Sequence, residues 1–114
     1  MPLPDKAWST NQDRNLHPYE RAARIKAWKE ATAFYYRLTM MTRDFMDPGI
    51  VQIDIGVKTN ARRDPHNYCG TVLKAVIDGL VLAGAWPDDT PDWVGHRESV
   101  FHKGKDVTVT VTPM

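Results

Sequence analysis

Hydrophobic and polar positions alternate most cleanly over residues 51–57, where Val51, Ile53, Ile55 and Val57 are separated by Gln52, Asp54 and Gly56. A period of two predicts a strand with one buried face. The alternation returns where Val107, Val109 and Val111 intersperse with Thr108, Thr110 and Thr112. A shorter strand-like stretch over 98–102 precedes it, and Gly104 lies between, so the pattern predicts a closing hairpin. Two other stretches follow the helical period. Pro18 suits a first helical turn. Beyond it Ile25, Trp28, Thr32, Tyr35 and Leu38 recur at helical spacing, with Ala22 and Ala31 beside them. This predicts a helix that carries the stripe into the core and fades over 37–41. Asp47-Pro48-Gly49 then turns the chain. Val72, Leu73, Val76, Ile77, Leu80 and Val81 predict a second helix over 71–83, with Gly84 near its C-terminal end.

The intervals read as connections. Residues 1–8 are proline-rich and predict irregular chain or a short edge strand. Residues 9–13 have turn chemistry, and residues 86–93 form a loop stiffened by Pro87 and Pro91. Two helices and a small sheet make an α+β fold, with the helices packed on one side of the sheet. The 114 residues fit one domain, 1–114, without repeats or low-complexity tracts.

Composition narrows this further. A content of 42% hydrophobic and 25% charged residues is that of a globular protein, not a disordered tail. No run approaches membrane-spanning length, and the N-terminus lacks the regions of a signal peptide. The single cysteine, Cys69, excludes an internal disulfide and suits a cytoplasmic setting. The net charge is only +1, but the charges are segregated. Arg21, Arg24, Lys26, Lys29 and Arg37 crowd the first helix, and Lys58, Arg62, Arg63 and Lys74 surround Asp64. Asp78, Asp88, Asp89 and Asp92 follow with no base among them. An acidic focus bordered by basic segments suits a polyanion that is held and cut. Ordinary solvated surface has similar charges.

The candidate chemistry lies between Arg62 and Asp89. Phosphodiester hydrolysis needs an activated water, neutralised phosphate charge and a stabilised leaving oxygen, and divalent cations supply all three. Mg²⁺ commonly uses one or two carboxylates plus substrate phosphate. Asp64 with Asp88 or Asp89 is a sufficient protein contribution. If the chain is extended there, Asp64 and His66 point to one side. His66 is a candidate ligand, which tilts preference toward Mn²⁺, or a general base. Lys74 is a candidate for holding the scissile phosphate. Arg62 and Arg63 are natural phosphate contacts. Trp8, Tyr68, Trp86, Trp93 and Phe101 are candidates for stacking on unpaired bases, with core packing as the alternative role. Each polar residue also has a plainer account. Asp64-Pro65 starts a turn, Asn67 caps a helix, Lys74 and Asp78 form a surface ion pair, and Asp88 and Asp89 solvate a loop. There is no P-loop, dinucleotide fingerprint, zinc spacing or nucleophile elbow.

Arg-Asp-x-x-Asn at 63–67, Lys-Ala-Val-Ile-Asp-Gly-Leu at 74–80 and Gly-x-Trp-x-Asp-Asp at 84–89 together resemble the RusA family of Holliday-junction resolvases. Ser9-Thr10-Asn11, the basic helix with Trp28 and the closing strands extend the likeness over most of the chain. The resemblance implies a small mixed β-sheet and a homodimeric, Mg²⁺-dependent endodeoxyribonuclease of bacteria or prophages, acting on four-way junctions and other branched DNA. It implies that Asp64 and Asp89, with Asp88 beside the latter, bind the metal, and that Lys74 assists catalysis. Asp78 matches a further recurrent aspartate. His66 stands where the family pattern has a second aspartate, so one negative ligand is replaced by imidazole. Lys74 follows Asn67 by seven positions, about four more than in that pattern, or roughly one helical turn of ~6 Å. Arg21, Arg24, Lys29, Arg62, Arg63, Asn67 and Lys74 are the candidate DNA contacts. A two-fold dimer would match a two-fold junction.

Overall fold

The computed structural model describes residues 1–40, 44–59 and 63–114. Arg62, a candidate DNA contact, lies outside the described residues. The elements are α1 (Thr10–Asp13), α2 (Pro18–Thr39), β1 (Gly49–Val57), a 3₁₀ turn (Pro65–Tyr68), a π turn (Cys69–Leu73), α3 (Lys74–Leu82), β2 (Val94–His96), β3 (Val100–Lys103) and β4 (Val107–Pro113). This is the expected α+β fold with a mixed sheet. None of the helices among the described residues is long and apolar enough to cross a membrane.

The strand over 51–57 is the centre of the sheet. β4 runs antiparallel along one edge, from Gly49↔Pro113 to Ile55↔Val107. β2 and β3 run parallel along the other edge, at Gly49↔Val94 and Asp54↔Val100 respectively. Between Val51↔His96 and Asp54↔Val100, two residues of β1 face three of the edge chain, so a bulge separates β2 from β3. The hairpin expectation is therefore corrected. β3 and β4 are strands, as the pattern predicts, but they do not pair with each other. They flank β1, and residues 104–106 arch over its end. The Gly56 N–H donates to the Asp106 carbonyl (2.8 Å) and the Gly104 N–H to the Val57 carbonyl (3.0 Å). A Cβ on Gly56 would lie 2.7 Å from Gly104 and Asp106 backbone atoms. Glycine at 56 is what allows the arch to pass this close.

Val51, Ile53 and Ile55 are buried on one face of the sheet, with Trp28, Val72, Val76 and Leu80 from α2, the π turn and α3 in the same core. The opposite face carries Gln52, Asp54, Thr108, Thr110 and Thr112, none of them buried. α2 begins at Pro18 as expected, with His17 as its N-cap. Its buried face is not the predicted stripe. Trp28 and Thr32 are buried, but Ile25, Tyr35 and Leu38 are exposed, Leu38 by 63%. The inward line runs through Trp28, Thr32 and the half-buried Tyr36, each four residues on from the last. Side chains four apart stack on one helix face; Tyr35 and Leu38 sit to one side of that line, whereas Ile25 falls on it one turn before Trp28 and is still exposed. Trp8 and Trp86 are also fully buried. They are core residues and are removed from the base-stacking candidates, because burial leaves no ring face for a base.

Of the helix expected over 71–83, the regular part is α3, and the 3₁₀ and π turns carry helical backbone ahead of it back to Pro65. α3 ends in a Schellman motif. Ala85 N–H donates to the Leu80 carbonyl and Gly84 N–H to that of Val81. Gly84, at φ 92°, takes the left-handed conformation this motif requires.

Candidate functional site

The segment carrying Asp64 is not extended. Asp64 is the N-cap of the 3₁₀ turn and its carboxylate accepts from His66 N–H (3.1 Å). Asp64 and His66 therefore do not share one side of a strand; the period-two expectation is corrected, because Pro65 at the first helical position and the Asp64 cap favour a tight turn. The turn-start account of Asp64-Pro65 is the geometry observed. Asn67 sits within the turn and is not its cap. Its carbonyl accepts from the Thr10 hydroxyl (3.0 Å), and the Thr71 hydroxyl donates to the Trp8 carbonyl. The buried Trp8 thus fastens the N-terminal segment under the 3₁₀ and π turns. The residues between Asn67 and Lys74 belong to these two turns, which lead without a break into α3 at Lys74. A π turn widens the helix locally, and such turns recur at functional sites.

Two hollows adjoin the exposed side of α3. One, of about 200 Å³, is lined by Cys69, Leu73, Lys74, Ile77, Asp78, Asp89, Val94 and His96. The other, of about 310 Å³, is lined by Lys29, Asp78, Val81, Leu82, Asp88 and Asp89. Asp78 and Asp89 belong to both. Folding thus brings Lys74 and Asp78 of α3 against the loop that carries Asp88 and Asp89, with Lys29 of α2 at one end. Lys74 Nζ lies 3.7 Å from Asp78 Oδ1, with the lysine side chain 62% exposed. An exposed pair of this kind contributes about 0–1 kcal/mol, so Lys74 is cheaply released to another anion. Asp88 Oδ1 accepts from Asp89 N–H (2.8 Å), which shapes the loop.

Cys69, at the head of the π turn, lines the smaller hollow and is half-buried. Burial pushes the Cys69 thiol up, and the negative charges of Glu98 and Asp64 push it further. The raised value leaves the thiol protonated and unreactive at neutral pH, and neither Asp64 nor Glu98 lines either hollow. His66 is exposed and lines neither hollow. His96 and Glu98 are the residues that sequence reasoning missed. They stand on and just beyond β2, and only the pairing of β2 with β1 carries them to α3. The spacing His96-x-Glu98 was the available signal.

Asp78 and Asp89 offer carboxylate oxygens, which suit a hard cation, and His96 an imidazole, which suits borderline metals. Among the described residues no three His, Cys, Asp or Glu side chains converge closely enough to enclose a metal ion. Mg²⁺ fits a site of one or two carboxylates because it keeps several waters and takes phosphate oxygens as well.

The basic candidates are differently placed. Arg21 donates to the Asp13 carboxylate (3.0 Å) and carbonyl (2.6 Å), and Arg24 donates to Glu20 (2.9 Å). Both are structural contacts first. Arg63 donates to the Thr59 carbonyl (3.0 Å) and lies over the Phe101 ring, 5.9 Å from its centroid. Phe101 in turn meets Tyr68 edge-on at 5.1 Å. This Arg63–Phe101–Tyr68 stack braces the segment that holds Asp64. The chain matches no known protein-family model and no curated protein sequence.

Proposed function

We propose that this chain is a RusA-like, metal-dependent endodeoxyribonuclease that resolves branched DNA, four-way junctions above all, by paired symmetric nicks. The observation that carries the reading is the shared hollow in which Lys74 and Asp78 face Asp89. In this reading Asp89 and Asp64 are the metal-holding residues, with Asp78 and Asp88 beside them and Mg²⁺ or Mn²⁺ as the ion. The cation, when bound, supplies charge neutralisation and an acidified water. Lys74 exchanges Asp78 for a non-bridging phosphate oxygen. Lys29, at one end of the groove, and Arg63, next to Asp64 in the chain, contact the DNA backbone, and such contacts carry no sequence information. Arg21 and Arg24 reach phosphate only by giving up Asp13 and Glu20. A homodimer presents two such sites to a two-fold junction, in the cytoplasm of a bacterium or a phage-infected cell.

The test is cleavage of a synthetic four-way junction beside a matched linear duplex, in Mg²⁺ and separately in Mn²⁺. Wild type should give paired nicks in the junction alone. Asp89→Asn and Asp64→Asn should lose more than the about 10–100-fold that removal of an outer-shell partner costs, while junction binding persists. Equal cutting of both substrates would point to a nuclease for other DNA structures. A second reading, a junction-binding protein without cleavage, rests on the same resemblance, in whose pattern a carboxylate stands at the position of His66. Tight junction binding with no nick under either metal would establish that reading and sink the first.

A further inference from the structure

Away from the groove, on the uncovered face of the sheet, His102 stands between two carboxylates. Its Nδ1 is 2.6 Å from Asp54 Oδ1 on β1, and its Nε2 is 2.8 Å from Asp106 Oδ1 in the arch. An ionised carboxylate only accepts hydrogen bonds, and a neutral imidazole has a single N–H. Both contacts are satisfied together when the ring is an imidazolium. A neutral ring would turn a lone pair toward one of the two aspartates. The bridge ties three parts of the sheet: β1 through Asp54, β3 through His102, and the arch through Asp106.

The arch is itself a junction. Lys105 accepts from Leu3 N–H (3.1 Å) and Val107 donates to the Met1 carbonyl (2.7 Å), so residues 1–3 are laid along the edge of β4 by the same segment. The charged groups around the ring are Asp54, Asp106, the flanking Lys103 and Lys105, and the Met1 amine, which donates to the Val107 carbonyl (2.9 Å). From β4, the residue opposite Asp54 is the uncharged Thr108.

We propose that the Asp54–His102–Asp106 bridge is a protonation-operated fastening: with His102 charged it holds the arch and residues 1–3 onto the sheet, and loss of the proton loosens both. Hydrogen bonds to Asp54 and then Asp106 raise the His102 titration point above the ordinary histidine value. Its contribution is thus complete below the ordinary histidine value and is lost as pH rises through the raised one. The hydrogen bond to His102 lowers the Asp106 carboxyl below the ordinary carboxylate value. That contribution is complete above the ordinary carboxylate value and is lost as pH falls through the lowered one. The fastening is therefore complete between the ordinary carboxylate and ordinary histidine values, and on the alkaline side it opens by way of His102. It does not depend on the nuclease reading.

Ring-nitrogen NMR of the full ¹⁵N-labelled chain tests this, with amide exchange of Gly56 and Gly104 as the report on the arch. Both His102 nitrogens should carry protons at the ordinary histidine value, and the ring should titrate above it. As the ring titrates, exchange at Gly56 and Gly104 should accelerate beyond the ordinary effect of base, while core amides such as Ile53 keep theirs. Asp106→Asn, on a largely exposed side chain, should leave the core intact and move both the titration and the arch opening to lower pH. Asp54→Asn should do the same. A His102 ring that titrates at or below the ordinary histidine value, or protection at Gly56 and Gly104 that ignores the titration, would overturn the proposal.

Discussion

Replacing Gly56 with alanine separates the arch from a hairpin by the sign of its effect. In an unobstructed strand interior, Gly→Ala stabilises by about 0.5–1 kcal/mol, because alanine has less backbone freedom to lose. If β3 and β4 formed a hairpin beside β1, position 56 would be open and this gain would appear. Instead the added methyl would sit 2.7 Å from the Asp106 carbonyl oxygen and from the Gly104 carbonyl carbon and oxygen. Non-bonded carbon contacts prefer about 3.5–4.0 Å, so the arch must withdraw by about 1 Å. Withdrawal stretches the Gly56–Asp106 and Gly104–Val57 hydrogen bonds, now 2.8 and 3.0 Å, out of range. Those two bonds contribute about 0.5–1.5 kcal/mol each. Overpacking a closed contact typically costs about 1–3 kcal/mol in its own right. Set against the alanine gain, Gly56→Ala should destabilise by about 2–4 kcal/mol. Urea unfolding followed by tryptophan fluorescence reads this directly. With a slope of about 1–3 kcal/mol per molar for a small protein, the midpoint should fall by about 1–2 M. A Gly56→Ala protein as stable as wild type, or more so, would refute the crossing of the arch over β1.

Three further substitutions test the supports of the fold. Gly84→Ala should cost about 1–2 kcal/mol, the ordinary penalty for an L-residue in the left-handed conformation. Gly70→Ala should stabilise by about 0.5–1 kcal/mol, since nothing lies within 4 Å of the new methyl and the position is helical; thermal melts of the pair should shift in opposite directions. Asp13→Ala removes the acceptor shared by Trp8 Nε1 and Arg21 Nε, both at 3.0 Å. It should cost about 1–3 kcal/mol, the penalty of leaving a donor next to the core unsatisfied, and chemical denaturation measures it.

The parts of this protein legible in its sequence are those set by neighbours along the chain. The Val-x-Ile-x-Ile alternation makes β1 because successive strand side chains take opposite faces. Pro18 starts α2, and Gly84 ends α3, because each fits a local backbone geometry that few residues fit well. Lys74 and Asp78 meet because helical neighbours four apart always do. Where two local readings were equally good, the sequence could not choose between them. A turn at Gly104 between two strands serves a hairpin or an arch alike, and only β1 lying between them, with no Cβ at Gly56, makes it an arch. Several stripes can be drawn along a helix rich in alanine, tyrosine and tryptophan; the approach of α3 and the sheet selected the one through Trp28, Thr32 and Tyr36. Asp64 had both an extended reading and a capped-turn reading, and the capped turn is held by Thr10, Asn67, Trp8 and Thr71, contacts that span more than fifty residues. The groove depends on tertiary structure for the same reason. Lys74, Asp89 and His96 become neighbours only when α3, the proline-rich loop and β2 are packed onto one sheet. Periodicity and capping act over one or two turns, whereas closing a loop of tens of residues is decided by the burial it completes.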